Sequence, residues 1–170
     1  MKFRAEHVFS GISLPDFEAL FYDEPFGIAL CAAVKLGRQV VRLENRDGRL
    51  VRSLRVTPER TLPSPVAKIV GGSRIEYTEH TEYVWGTYRA DWRVEPSILP
   101  DKIESRGRLG FEQCGDGVMR WVEGEVKVRM FGLGGIIEHF IIGDTEKSYD
   151  AAADFTRSWI AKHGTKLGKG

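Results

Sequence analysis

The chain has 170 residues, 42% of them hydrophobic and 29% charged, with 25 basic against 24 acidic side chains. That length supports one domain with a core of its own, and a formal net charge of +1 lacks the basic footprint of a nucleic-acid binder. No apolar run is long enough to span a bilayer, the charged start MKFRAEHVFSG does not read as a signal peptide, and two cysteines are too few for a disulfide framework. A cytoplasmic protein is expected, with Cys31 and Cys114 buried as small hydrophobes.

In chain order, residues 2–10 alternate, with Phe3, Ala5, His7 and Phe9 on one face and Lys2, Arg4 and Glu6 on the other. That is a half-buried strand. SLPDFEALF then reads as a short helix, with Ser13 as N-cap and Pro15 in the first turn, and residues 26–34 as a second one. RQVVRLENRDGRLVRSLRV is a hairpin turning at Asp47-Gly48. Pro63 and Pro65 break the pattern, residues 66–70 allow a helical turn or two, and Gly71-Gly72 close it. Four longer strands are expected at residues 74–85, 88–95, 102–113 and 119–130, and a final helix at residues 135–162. No repeat or linker interrupts them, so residues 1–163 form a single domain and residues 164–170 a flexible tail.

The strand faces point further. On residues 88–95, Tyr88, Ala90, Trp92 and Val94 face inward and Arg89, Asp91, Arg93 and Glu95 outward, so the sheet is covered on one side. Its inner face collects small residues, Ala5, Ala90, Ser105, Gly107 and Gly124, and polar ones, His7, Gln39, Arg52, Glu79 and Thr81. A solid core would be filled with Leu, Ile or Val, so these positions indicate unfilled space, with glycine-assisted sheet curvature as the other explanation. The final helix carries one apolar stripe that includes Ile137, Phe140, Ile141 and Phe155, interrupted after Gly143 by Asp144 and Ser148. Gly143 bends the helix there, or the polar pair faces a cavity.

The glycines of FGLGGIIEHFII raise the question of a phosphate loop. The spacing is G-x-G-G rather than G-x-G-x-x-G, the preceding strand ends an antiparallel meander, and Ile136-Ile137 stand where a P-loop needs Lys-Ser/Thr. Gly132, Gly134 and Gly135 instead let the chain reverse into the helix. The four histidines, His7, His80, His139 and His163, show no metal-ligand spacing. His7 reads first as a hydrogen-bonded core histidine, Glu79 near Arg52 as an ion pair or headgroup anchor, and Glu138 as a backbone acceptor at the helix start.

A strand, two short helices, six strands and a long C-terminal helix resemble the START-like, or helix-grip (SRPBCC), superfamily. The stretches RVTPERTLPSPVAKIVGGSRIEYTEHTEY, YRADWRVEPSILPDKIESRGRLGFE and VKVRMFGLGGIIEHFI are similar to an uncharacterised bacterial family within it. The resemblance covers essentially the whole chain. It implies an α+β fold in which a curved antiparallel sheet of about seven strands wraps around the last helix, with a hydrophobic cavity between them. The superfamily includes lipid and sterol transfer domains, polyketide aromatase/cyclases, hormone receptors and pollen allergens.

The functional expectation is therefore binding, and transfer, of a lipid or sterol-like molecule, without cofactor, metal or nucleic acid. Its lining would be His7, Arg52, Glu79, Thr81, Tyr88, Trp92, Ser105, Phe140, Asp144 and Ser148. Val66, Ile69, Val70, Gly134 and Gly135 would form a gate that makes transient membrane contact, with Lys68 placed to meet a phosphate headgroup. The alternative is a cyclase, aromatase or hydrolase using His7, Arg52 and Glu79 as acid/base groups. A third is a partner-binding module, which an exposed apolar patch around outward Trp121 would favour. The oligomeric state is left open.

Overall fold

In the computed structural model, which describes residues 1–164, every strand belongs to one sheet. Strand β1 (Lys2–Phe9) leads into α1 (Leu14–Phe21) and α2 (Glu24–Ala33). Both helices start on side-chain caps: the Asp16 amide donates to Ser13 Oγ at 3.2 Å and the Phe26 amide to Asp23 at 3.1 Å. Pro15 and Pro25 sit in the first turns, where a missing N–H costs nothing. The meander follows as β2 (Leu36–Arg46), β3 (Arg49–Pro58), β4 (Tyr77–Val84), β5 (Arg89–Pro96), β6 (Ile103–Cys114) and β7 (Gly117–Val128). Helix α3 (Ser64–Val70) lies between β3 and β4, and α4 (Gly134–His163) ends the fold. Asp47 and Gly48, at φ +53° and +73°, make the two-residue turn that suits the twist of the β2–β3 hairpin. Gly71, left-handed at φ +75°, terminates α3. The expected tail lies outside the described residues except for Gly164, which ends α4.

The order β1-β7-β6-β5-β4-β3-β2 is antiparallel throughout, so α1 and α2 carry the chain from one sheet edge to the other. Helix α4 packs on β7 and β1, α1 approaches β6, and α2 sits on β2 while touching α4. The inner face of β3, β4 and β5 therefore stands off from the helices. One end of this grip is solid: Phe9, Phe17 and Phe111 are buried, with Phe9–Phe17 ring centroids 4.9 Å apart and Phe17 meeting Phe111 edge-on at 5.0 Å. The other end is hollow. This is the helix-grip fold.

Several details differ from the sequence reading. Gln39 is exposed and accepts a hydrogen bond from Arg55, while Arg38 turns inward. A bulge between Val40 and Arg42 reverses the alternation, so residues before it face opposite to their expected side. Strand β4 begins at Tyr77 rather than at residue 74, because Ser73 turns aside to accept the Leu62 amide at 2.8 Å. Gly107 and Gly124 do not mark empty space. A Cβ on Gly124 would lie 2.5 Å from Trp92 Cζ2, and one on Gly107 would lie 2.6 Å from the same atom and strike the Glu123 carbonyl oxygen. The indole of Trp92 occupies the room these glycines leave. Cys31 and Cys114 are half-buried rather than sequestered. Trp121 faces outward but is only 5% exposed, because the guanidiniums of Arg4 and Arg89 lie over its ring and its Nε1 donates to Glu112. Trp121 therefore does not form the exposed apolar patch that would favour a partner-binding module.

Candidate functional site

Alternation along the inner strands builds a cavity of about 320 Å³. Strand β3 contributes Arg52, Leu54 and Val56, β4 contributes Tyr77, Glu79 and Thr81, and β5 contributes Trp92 and Val94. Ile103, Ser105 and Leu109 come from β6, and Arg120 and Val122 from β7. Helix α4 closes it with Ile137, Phe140, Ile141, Asp144, Ser148 and Tyr149 at helical spacing, α2 adds Phe26, Leu30 and Cys31, and α3 adds Val66 and Val70. Most of this wall is hydrocarbon and aromatic, with a few polar groups set into it, the usual composition of a small-molecule pocket.

Of the expected lining, Arg52, Glu79, Thr81, Trp92, Ser105, Phe140, Asp144 and Ser148 do face this one space. Tyr88 does not. It precedes β5 in the β4–β5 turn at φ +56° and packs against the core outside the cavity lining. His7 points inward but lies beyond the cavity wall, with Nε2 2.8 Å from Asp150 Oδ1 and Nδ1 accepting from Arg120 at 3.0 Å. Arg120 can only donate, so His7 Nδ1 is the acceptor and Nε2 carries the proton toward Asp150. Both ring nitrogens are thus engaged and away from the cavity. Arg52 and Glu79 do not form the expected ion pair: among the described residues neither has an oppositely charged group within salt-bridge distance, and Glu79 accepts only from Thr81, at 3.4 Å. Arg52 instead lies over the Tyr22 ring at 5.5 Å. Of the three candidate acid/base groups, Arg52 and Glu79 thus line the cavity and His7 lies outside it.

Among the residues expected to form a gate, Val66 and Val70 line the cavity, and Ile69 packs against the core without reaching it. Gly134 and Gly135 lie off the cavity in the first turn of α4. A Cβ at Gly134 would strike the Val128 carbonyl oxygen, so this glycine permits close contact between helix and strand, and Gly132 at φ +71° makes the chain reversal. Glu138 accepts the Val128 amide at 2.8 Å, which holds its carboxyl below the usual carboxylate range. Asp144 and Ser148, the polar break in the α4 stripe, both accept from Arg60, at 2.5 and 3.1 Å. The pair clasps the loop after β3 to α4, and α4 continues past Gly143 without interruption.

Three groups in and around the wall escaped the sequence reading. Arg120 is 3% exposed, and burial lowers its pKa to about 10, which leaves it cationic at neutral pH. Tyr77 and Tyr149 are half-buried residues whose phenols are desolvated, which pushes their pKa values up, so both remain neutral hydrogen-bonding groups. The signal for Arg120 was present: with Trp121 outward, alternation places Arg120 and Val122 on the inner face. Burial likewise raises the Cys31 thiol. Among the described residues there is no cluster of acidic, histidine or cysteine side chains suited to a metal ion, and no helix is long and apolar enough to cross a membrane.

The family model described as "Protein of unknown function (DUF2505)" matches residues 7–160. No curated protein sequence matches the chain. The structure is similar to that of TTHA0849 from Thermus thermophilus, with a TM-score of 0.64, 14% identity, and 96% of this chain and 99% of that one covered. Ara h 8.0201 superposes with a TM-score of 0.62 at 10% identity, over 93% of this chain and 98% of its own. A START superfamily protein from Mycobacterium smegmatis does so at 0.59 and 15% identity, over 94% and 97%. At these identities the likeness is one of fold.

Proposed function

The chain belongs to the DUF2505 family, and we propose that it binds, and hands on, a hydrophobic small molecule of lipid or sterol-like character held between the sheet and α4. The observation that supports this reading is the cavity of about 320 Å³, walled by apolar side chains at the positions where a solid domain would place its core. Close packing is the rule in protein interiors, and an unfilled space of this size forfeits dispersion contacts along its whole lining. An apolar occupant restores them. A cavity of about 320 Å³ is of the size that small-molecule pockets have.

The same site would be screened by α3, whose Val66 and Val70 form part of the wall, and released at the end of the fold where α3 and the start of α4 lie. Brief contact of this end with a membrane, with Lys68 toward the headgroups, belongs to the same proposal. Native mass spectrometry of protein purified from cells tests the binding. A bound apolar species, or uptake of an added hydrophobic probe at one per chain, is the expected result. Protein that is empty and takes up no such probe overturns the reading.

A further inference from the structure

The cavity's polar groups are unequal, and the inequality has a sign. Four guanidiniums line it, those of Arg38, Arg52, Arg60 and Arg120, against two carboxylates, Glu79 and Asp144. Arg60 is held by Asp144, and Arg38 is held from behind by both oxygens of Glu24. Arg52, Arg120 and Glu79 remain, so the wall keeps one positive charge that nothing in it neutralises.

Arg120 is the more demanding of the two free cations because it is 3% exposed. A guanidinium has five N–H donors. Nη2 of Arg120 donates to His7 Nδ1 at 3.0 Å and to the Tyr149 carbonyl at 3.4 Å. Its Nε is buried without an acceptor, and its Nη1 makes no hydrogen bond among the described residues. The aromatic faces of Phe9 and Tyr149, 5.6 and 5.5 Å away, stabilise the charge but accept none of those N–H groups. The nearest carboxylate in this network, Asp150, reaches Arg120 only through His7 and is itself 74% exposed, where water screens it. Buried donors of a charged group are paired in folded proteins, since leaving them unpaired costs more than for neutral groups. The His7–Asp150 pair meanwhile fixes one side of the guanidinium, as a second layer of hydrogen bonds fixes a ligand-binding group.

We propose that Arg120 is the seat of a carboxylate on the cavity's occupant, so that the molecule bound is a small amphipathic acid rather than a neutral lipid. This inference rests on the cavity-binding reading above and adds the chemical class of its ligand. The free N–H groups of Arg120 receive the carboxylate oxygens as charge-assisted hydrogen bonds, and the apolar remainder lies along Val122, Leu109 and Phe140. Arg52, whose Nε is also buried without an acceptor, adds to the positive potential of the wall.

The test compares decanoate with 1-decanol, which share a chain and differ in the headgroup charge, by calorimetry on the intact protein at neutral pH. Decanoate should bind at least about tenfold more tightly, the factor that one charge-assisted hydrogen bond typically carries. Arg120→Met should erase that preference, so that decanoate and decanol bind with similar affinity. Where the variant does not fold, the ¹⁵Nε resonance of Arg120 in the unmodified protein gives the second readout, and it should move on adding decanoate and stay in place with decanol. Equal affinities, or a preference that survives Arg120→Met, overturn the carboxylate seat and leave the cavity reading standing. Binding of neither probe removes both.

Discussion

Gly124→Ala measures how tightly the hollow end of the sheet is bounded. Gly124 has ordinary strand geometry, so exchanging it for alanine should by itself stabilise the protein by about 0.4–1 kcal/mol through the unfolded chain. The structure reverses that sign. The new Cβ would meet Trp92 Cζ2 at 2.5 Å and Cη2 at 2.7 Å, against a comfortable carbon–carbon separation of about 3.5–4.0 Å. The indole must therefore move about 1 Å toward the cavity, an overpacking cost of about 1–3 kcal/mol. Trp92→Phe removes both of those atoms and leaves only Phe3 Cε1, at 2.9 Å, in the way of the new Cβ, so in that background Gly124→Ala should cost markedly less. Urea unfolding at constant m reads the four proteins of this cycle, and a coupling of at least about 1 kcal/mol is expected. Gly107→Ala is the control, because its Cβ would strike the Glu123 backbone oxygen, which no side-chain change relieves. Should Gly124→Ala cost the same in both backgrounds, or stabilise the protein outright, the account of these glycines as seats for Trp92 is wrong.

Glu138→Ala should destabilise the protein by about 1–2 kcal/mol at neutral pH, because the Val128 amide loses its acceptor. The Glu138 pKa is depressed in the fold, so its contribution is present above the ordinary carboxylate value of about 4.3 and is lost as pH falls through the lowered one. The gap between variant and parent in thermal melts should shrink below about pH 4, and a gap that stays constant would contradict the assignment. Asp144→Asn should change stability by less than about 1 kcal/mol, the Arg60 pair being partly solvent-exposed, yet speed release of a fluorescent fatty-acid probe in stopped flow. An unchanged release rate would show that the clasp does not control access. Hydrogen exchange on residues 63–73 and 131–145 should slow when a ligand is bound, and Ile69→Asp should slow uptake without unfolding the domain. Exchange that is uniformly slow and indifferent to ligand would remove α3 as a gate.

Much of this architecture could be read from local chemistry. Ser13 with Pro15, Asp47-Gly48 and Gly71 each carry a start, turn or stop signal that depends on a residue's own backbone preference, and each appears where expected. Strand faces followed where alternation was unbroken, as from Ala90 to Val94. The misreadings share one cause, which is that parity and pairing are tertiary properties. The bulge at Val40–Arg42 sends Gln39 outward, Tyr88 falls in a turn at positive φ outside the cavity lining, and Trp92 on β5 fills the room at Gly107 on β6 and Gly124 on β7. Arg120 was within reach of the same alternation, but a lone arginine between Met119 and Trp121 gives no hint that the fold will leave it without a carboxylate.

A crystal structure of the protein as purified, at a resolution that separates ordered water from hydrocarbon, tests the central claim most directly. Continuous non-protein density is expected between α4 and the inner face of β3–β5, ending in a branched, polar tip within hydrogen-bond distance of Arg120. A space closed by Trp92 and the α4 side chains, or one holding only isolated waters in protein that also takes up no added probe, would contradict it.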